Sequence, residues 1–195
     1  KAIHMAVEDL FSATNFILDN AEQFGVNPSN IVISGSSAGA ISVMQAEYEI
    51  ANATQWASVL PAGFNYAGVM SFSGAILSRE GKVDFKKSPC PTLMLHGTSD
   101  ELVPYDQIKV FNLGFFGGGK LVERFKKYGL NYNMYHFTDY GHEIAGSMDT
   151  TLDLQLKFLE TNVMQKKMRI VEAWISDPDV FKGSGPQSRK ELYGN

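Results

Sequence analysis

Short apolar runs separated by longer amphipathic stretches limit most severely how this chain can fold. Ile31-Val32-Ile33-Ser34 is apolar on both faces, and residues 66–72, 92–96 and 131–137 also read as strands. A strand without a polar face is buried on both sides, which is the situation of a central strand in a parallel sheet. Between the runs, apolar residues recur at three- and four-residue steps. The first such stretch, residues 1–24, puts Ile3, Val7, Leu10, Phe11, Ile17, Leu18, Ala21 and Phe24 on one helical face, with Gly25 as its stop. Further helices are expected from residue 38 to about 49 and over residues 105–111, 119–128 and 150–163. Parallel neighbours need long crossovers, so this alternation predicts an α/β fold: a mostly parallel sheet with helices on both faces.

With 195 residues, 44% of them hydrophobic, the chain can bury one sizeable core. Residues 1–175 read as that core, with 51–65 as a cap or loop. Residues 176–195, polar and rich in glycine, proline and serine, read as a peripheral tail. The formal charge of -4 arises from 21 acidic and 17 basic side chains that are scattered, so no basic stripe is present to neutralise phosphates and nucleic acid is excluded as a partner. No stretch reaches the roughly 20 apolar residues of a membrane span. A single cysteine, Cys90, allows no internal disulfide and reads as core filler. The first residue is Lys1, already inside a helical pattern, so the natural start is expected elsewhere.

Directly after the first apolar run comes Gly35-Ser36-Ser37-Ala38-Gly39. In a G-x-S-x-G turn between a strand and a helix, the central serine sits on a sharp reversal, and glycines on both sides are expected to remove side chains that would block it. Ser37 is that serine, and Ser36 points elsewhere. The N–H of Ala38, at the start of the following helix, is placed to face a developing oxyanion.

A serine hydroxyl is a weak nucleophile at neutral pH and needs a base, which in turn needs a carboxylate to orient it. Of the four histidines, His142 follows the last expected strand, where a loop can carry an imidazole over the sheet edge. His4, His96 and His136 lie within a helix or on strands and read as structural. In the order Ser, Asp/Glu, His along the chain, Asp100 fits the carboxylate, in the loop after the apolar run 92–96. Glu101, Asp106 and Asp139 compete with it, and Asp100 has the alternative task of capping a turn or helix.

Ser37 within GSSAG, Asp100 within HGTSDELVP and His142 within GHE together resemble α/β-hydrolases of the carboxylesterase type over residues 2–163. The likeness is strongest to bacterial feruloyl and acetyl-xylan esterases, and more distant to the hormone-sensitive-lipase group. It implies a serine esterase with Ser37 as nucleophile, His142 as base and then acid, and Asp100 as orienting carboxylate. It also implies a small-molecule or carbohydrate ester as substrate, no cofactor or metal, and a periplasmic or secreted setting, with the cytoplasm as the alternative. In that family a histidine- and glycine-rich loop well before the nucleophile gives the second oxyanion donor. Only 36 residues precede Ser37, so N-terminal strands are expected to be missing, and the sheet to be completed by the protein's own N-terminal segment or by another chain. The rival readings are a prolyl-oligopeptidase-type peptidase and a non-catalytic module that keeps the hydrolase frame.

Four patterns carry other expectations. Gly114 to Leu121 matches G-x-x-x-x-G-K but lacks the magnesium-binding hydroxyl, so nucleotide is not expected; its glycines read as a mobile loop. Phe115 and Phe116 within it either cover the core or line the substrate entrance. His136, Asp139 and His142 are not expected to hold a metal, because His142 has the other task. Asn52-Ala53-Thr54 is a glycosylation sequon.

Overall fold

A computed structural model describes residues 1–177 together with Asp179 and Glu191; the rest of the expected polar tail lies outside the described residues. Helix α1 (Ala2–Asp19) and the one-turn α2 (Ala21–Phe24) precede β1 (Val32–Ser36), α3 (Ala38–Ala51), β2 (Gly68–Phe72), β3 (Ala75–Ser78) and β4 (Thr92–Gly97). A hairpin of β5 (Gln107–Val110) and β6 (Leu113–Gly117) then enters α4 (Gly118–Tyr128). The chain continues through β7 (Tyr132–Phe137), α5 (Leu152–Phe158), a π-helical turn (Leu159–Met164) and β8 (Val171–Ile175).

Five strands form one parallel sheet in the order β1-β2-β4-β7-β8. The pleat puts apolar side chains of the central strands on both sheet faces. Val69, Met94 and Met134 face one core with Val7 and Phe11 of α1, Val43 and Met44 of α3, and Phe125 of α4. Phe72, Leu93, Leu95 and Phe137 face the other, with Ile144, Phe158 and Val163. Each strand therefore needs apolar side chains at successive positions, and the fold is the expected α/β class with both sheet faces covered.

The four expected strands are present, and Gly25, with φ +65°, ends the N-terminal helical stretch after a break at Asn20. The expected helix over 105–111 is instead β5, and the expected mobile loop around Gly114 is β6. Together with β3 they form a small antiparallel sheet in the order β3-β6-β5. Tyr105, Ile108 and Phe111 are spaced at three residues, which mimics a helical stripe. The alternation Gln107-Ile108-Lys109-Val110 is the one the backbone follows. Strand β8 was not expected; Val171-Glu172-Ala173-Trp174-Ile175 alternates as an edge strand does and pairs with β7. At the opposite end, β1 is the other edge of the large sheet among the described residues.

Candidate active site

Strand β1 passes into α3 with only Ser37 between them. Ser37 adopts φ 52°, ψ -117°, a backbone state that costs a non-glycine residue on the order of 1–3 kcal/mol, and its N–H donates to Phe72 O at 2.9 Å. The reversal is so tight that a Cβ on Gly35 would lie 2.3 Å from the Gly39 carbonyl carbon and oxygen. Gly35 is therefore required by contact. A Cβ on Gly39 would meet nothing within 4 Å, which corrects the expectation that both glycines are needed for space. Ser36 points away from Ser37, donating from Oγ to Ala145 O at 2.5 Å, and so ties the turn to the loop after β7.

That loop brings His142 over the sheet edge. A Cβ on Gly97, the last residue of β4, would stand 2.3 Å from both Tyr140 O and Gly141 O, so glycine lets the His142 loop cross the strand end at backbone contact distance. His142 Nε2 lies 2.8 Å from Ser37 Oγ, and its Nδ1 lies 2.8 Å from Asp100 Oδ2. The Asp100 side chain is fully buried. Its Oδ1 accepts the N–H groups of Leu102 and Val103, each at 2.9 Å. The turn-capping and imidazole-orienting tasks thus coexist, one on each oxygen. Burial alone would push the Asp100 carboxyl up, but hydrogen bonds from His142, His96 and the Val103 amide outweigh it and hold the group well below the usual carboxylate range. An ionised Asp100 requires His142 Nδ1 to donate, which leaves Nε2 as an acceptor facing the serine hydroxyl. Ala38 begins α3, so its N–H belongs to the helix-end amides that have no intrahelical acceptor.

The remaining expectations resolve by location. His4 stacks on Trp56 with ring centroids 4.3 Å apart. His136 is buried, stacks on Trp174 at 4.1 Å and meets the Tyr105 hydroxyl at 2.7 Å through Nδ1. His136 and His142 therefore serve different partners and do not converge on a shared ion. Phe116 is 3% exposed in the main core, so it is a core residue and offers no surface to a ligand. Phe115 sits on the other face of the small sheet, partly exposed, opposite Leu77 and Ile108. The G-x-x-x-x-G-K stretch is strand and helix start with its amides committed: Gly117, Gly118 and Gly119 N–H donate to Asp106 O, His96 Nδ1 and Tyr105 O. The Asn52 side chain of the sequon is engaged with Tyr48 O and Lys86 N–H. Cys90 is buried in the core, as expected. A cavity of about 670 Å³ opens at the C-terminal end of α3, beside Leu60 and Phe64, a whole helix length of roughly 20 Å from Ser37. The sequence reading missed His96, whose imidazole reaches Asp100; the two are four residues apart across the end of β4.

This parallel sheet with a serine on its strand-to-helix turn has the architecture of part of an α/β-hydrolase fold. More particularly, residues 2–70, which hold α1, β1, Ser37 and α3, match the family model of BD-FAE, an esterase family. Esterase PE8, a solved structure, superposes with a TM-score of 0.50 at 21% identity, over 77% of this chain and 61% of that one. A Mycobacterium tuberculosis puromycin-hydrolyzing peptidase superposes with a TM-score of 0.52 at 18% identity, over 86% of this chain and 27% of that one. The chain thus spans about three-fifths of the PE8 chain, and at these identities the likeness concerns the fold. No curated protein is significantly similar in sequence.

Proposed function

We propose that this chain carries the reacting groups of a serine carboxylic-ester hydrolase. Ser37 Oγ attacks the ester carbonyl while His142 Nε2 takes its proton, Asp100 holds the imidazole by Nδ1, and the tetrahedral oxyanion lies against the Ala38 N–H. Collapse breaks the carbon–oxygen bond to the alcohol, which leaves with the proton from His142. Water, deprotonated by the same Nε2, then attacks the acyl-enzyme, and Ser37 is released with its hydrogen restored. The observation that carries this reading is the pair of 2.8 Å contacts that join Ser37, His142 and Asp100 in series. The strained backbone at Ser37 favours it over a non-catalytic module, which has no use for such a turn. The likeness of residues 2–70 to BD-FAE favours small acyl or aryl esters, including those on plant cell-wall carbohydrate, over amides.

The outer edge of β1 is assigned as the place where a further strand, from this protein or another chain, adds to the sheet, and the second oxyanion donor is assigned to that segment. Hydrolysis of p-nitrophenyl acetate tests the reading. Ser37→Ala is expected to lower kcat by a factor of about 10³ or more and to abolish labelling by a fluorophosphonate, and unchanged turnover removes Ser37 from the role. Weak labelling of this chain alone, strengthened when the added strand is supplied, is the expected outcome for the edge. Full labelling without it rejects that assignment.

A further inference from the structure

We propose that His96 is a positioning residue for the Asp100 carboxylate, a role that rests on the reading of Ser37, His142 and Asp100 given above. His96 lies one residue before the end of β4 and is 1% exposed. Its Nδ1 accepts the Gly118 N–H at 3.3 Å, where α4 begins. A nitrogen that accepts bears no proton, so the neutral ring carries its hydrogen on Nε2. That Nε2–H stands 3.1 Å from Val103 O and 3.4 Å from Asp100 Oδ2, shared between a carbonyl and the carboxylate. Oδ2 is the same oxygen that accepts His142 Nδ1–H. With Leu102 and Val103 amides on Oδ1 and His142 and His96 on Oδ2, the carboxylate is approached by four donors. Rotation about its Cβ–Cγ bond, which would take Oδ2 away from His142, breaks several of these contacts together.

The surroundings make Asp100 the charged group that His96 addresses. Tyr105 presents its ring edge-on, with centroids 5.7 Å apart, and His136 sits opposite on β7 in register, itself turned to Tyr105 and Glu172. A purely structural task, joining β4 to α4, would run through Nδ1 and Gly118. Positioning of Asp100 runs through Nε2. Because different nitrogens are used, the two can be separated by substitution.

His96→Gln places an amide N–H at about the reach of Nε2, His96→Asn places a carbonyl oxygen at about the reach of Nδ1, and His96→Leu supplies neither. With p-nitrophenyl acetate, the Asn and Leu variants are expected to lose about 10- to 100-fold in kcat with KM within about threefold, while Gln recovers most of the rate. In nitrogen-15 spectra of the chain, the far-downfield Nδ1 proton of His142 is expected to stay sharp in wild type and Gln, and to broaden by exchange in Asn and Leu. Retention of rate and resonance in Asn with their loss in Gln overturns the proposal, as does an unchanged resonance in Leu. If wild type shows no ester turnover even with the added strand supplied, yet the resonance follows the expected order, the esterase reading fails while the role of His96 stands.

Discussion

At Gly35 the backbone of α3 comes back to 2.3 Å from the point where a methyl group would sit, whereas Gly39, four residues on, faces open space. The two glycines of one motif therefore have unequal duties. Gly35→Ala is expected to destabilise the chain by on the order of 3 kcal/mol, because the neighbour that must yield is helix backbone. Gly39→Ala is expected to leave stability unchanged or raise it by up to about 1 kcal/mol, since alanine is the better helix former. Urea denaturation of both variants checks the contrast; equal losses would mean that the turn is looser than its geometry implies. The pentapeptide itself revealed the turn and which serine occupies it. It could not reveal which glycine the turn requires, since that depends on how closely the α3 backbone approaches.

At the scale of elements, the hairpin of β5 and β6 is unusual for what it exposes. Ile108 and Val110 pair across the hairpin with Phe115 and Leu113, so one face of the small sheet is apolar and open to solvent. Its turn holds Phe111 at φ +52° and 92% exposed, although such a φ favours glycine or asparagine. Phe111→Gly is expected to stabilise the chain by about 1 kcal/mol through relief of this strain, with thermal unfolding as the check. No gain would place the strain elsewhere in the turn. This hairpin was read from sequence as a helix followed by a loop because seven residues with apolar groups at two spacings fit either period. Pairing with β3, more than 30 positions earlier, decides between them. The helices and strands of the large sheet were legible for the opposite reason: their patterns are longer or carry no polar face at all.

For the molecule as a whole, two carboxylates bend stability in opposite directions with pH. Asp100 is held below its ordinary value of 3.8 in the folded chain, so its contribution is present above that value and is lost as pH falls further. Glu47, buried on α3 with Oε1 accepting the Cys90 N–H at 2.8 Å, is raised by burial from 4.5 to about 7. Its contribution is fully present below about pH 4.5 and declines as pH rises through 7, by roughly 3 kcal/mol at most. Glu47→Gln is expected to flatten the fall in stability between pH 5 and pH 8 and to be the more stable form at pH 8. Denaturation at both pH values tests this, and an unaltered slope would remove Glu47 as its source. Sequence alone determined the alternation of buried strands with helices and the serine turn, because burial on both faces and a one-residue reversal leave marks within a few consecutive residues. Only the tertiary structure decided that the His142 imidazole stands 2.8 Å from both Ser37 Oγ and Asp100 Oδ2, and that His96 reaches the same carboxylate. Those partners lie 105 and 42 positions apart, and the crossings of the sheet, which no local pattern encodes, bring them to one edge.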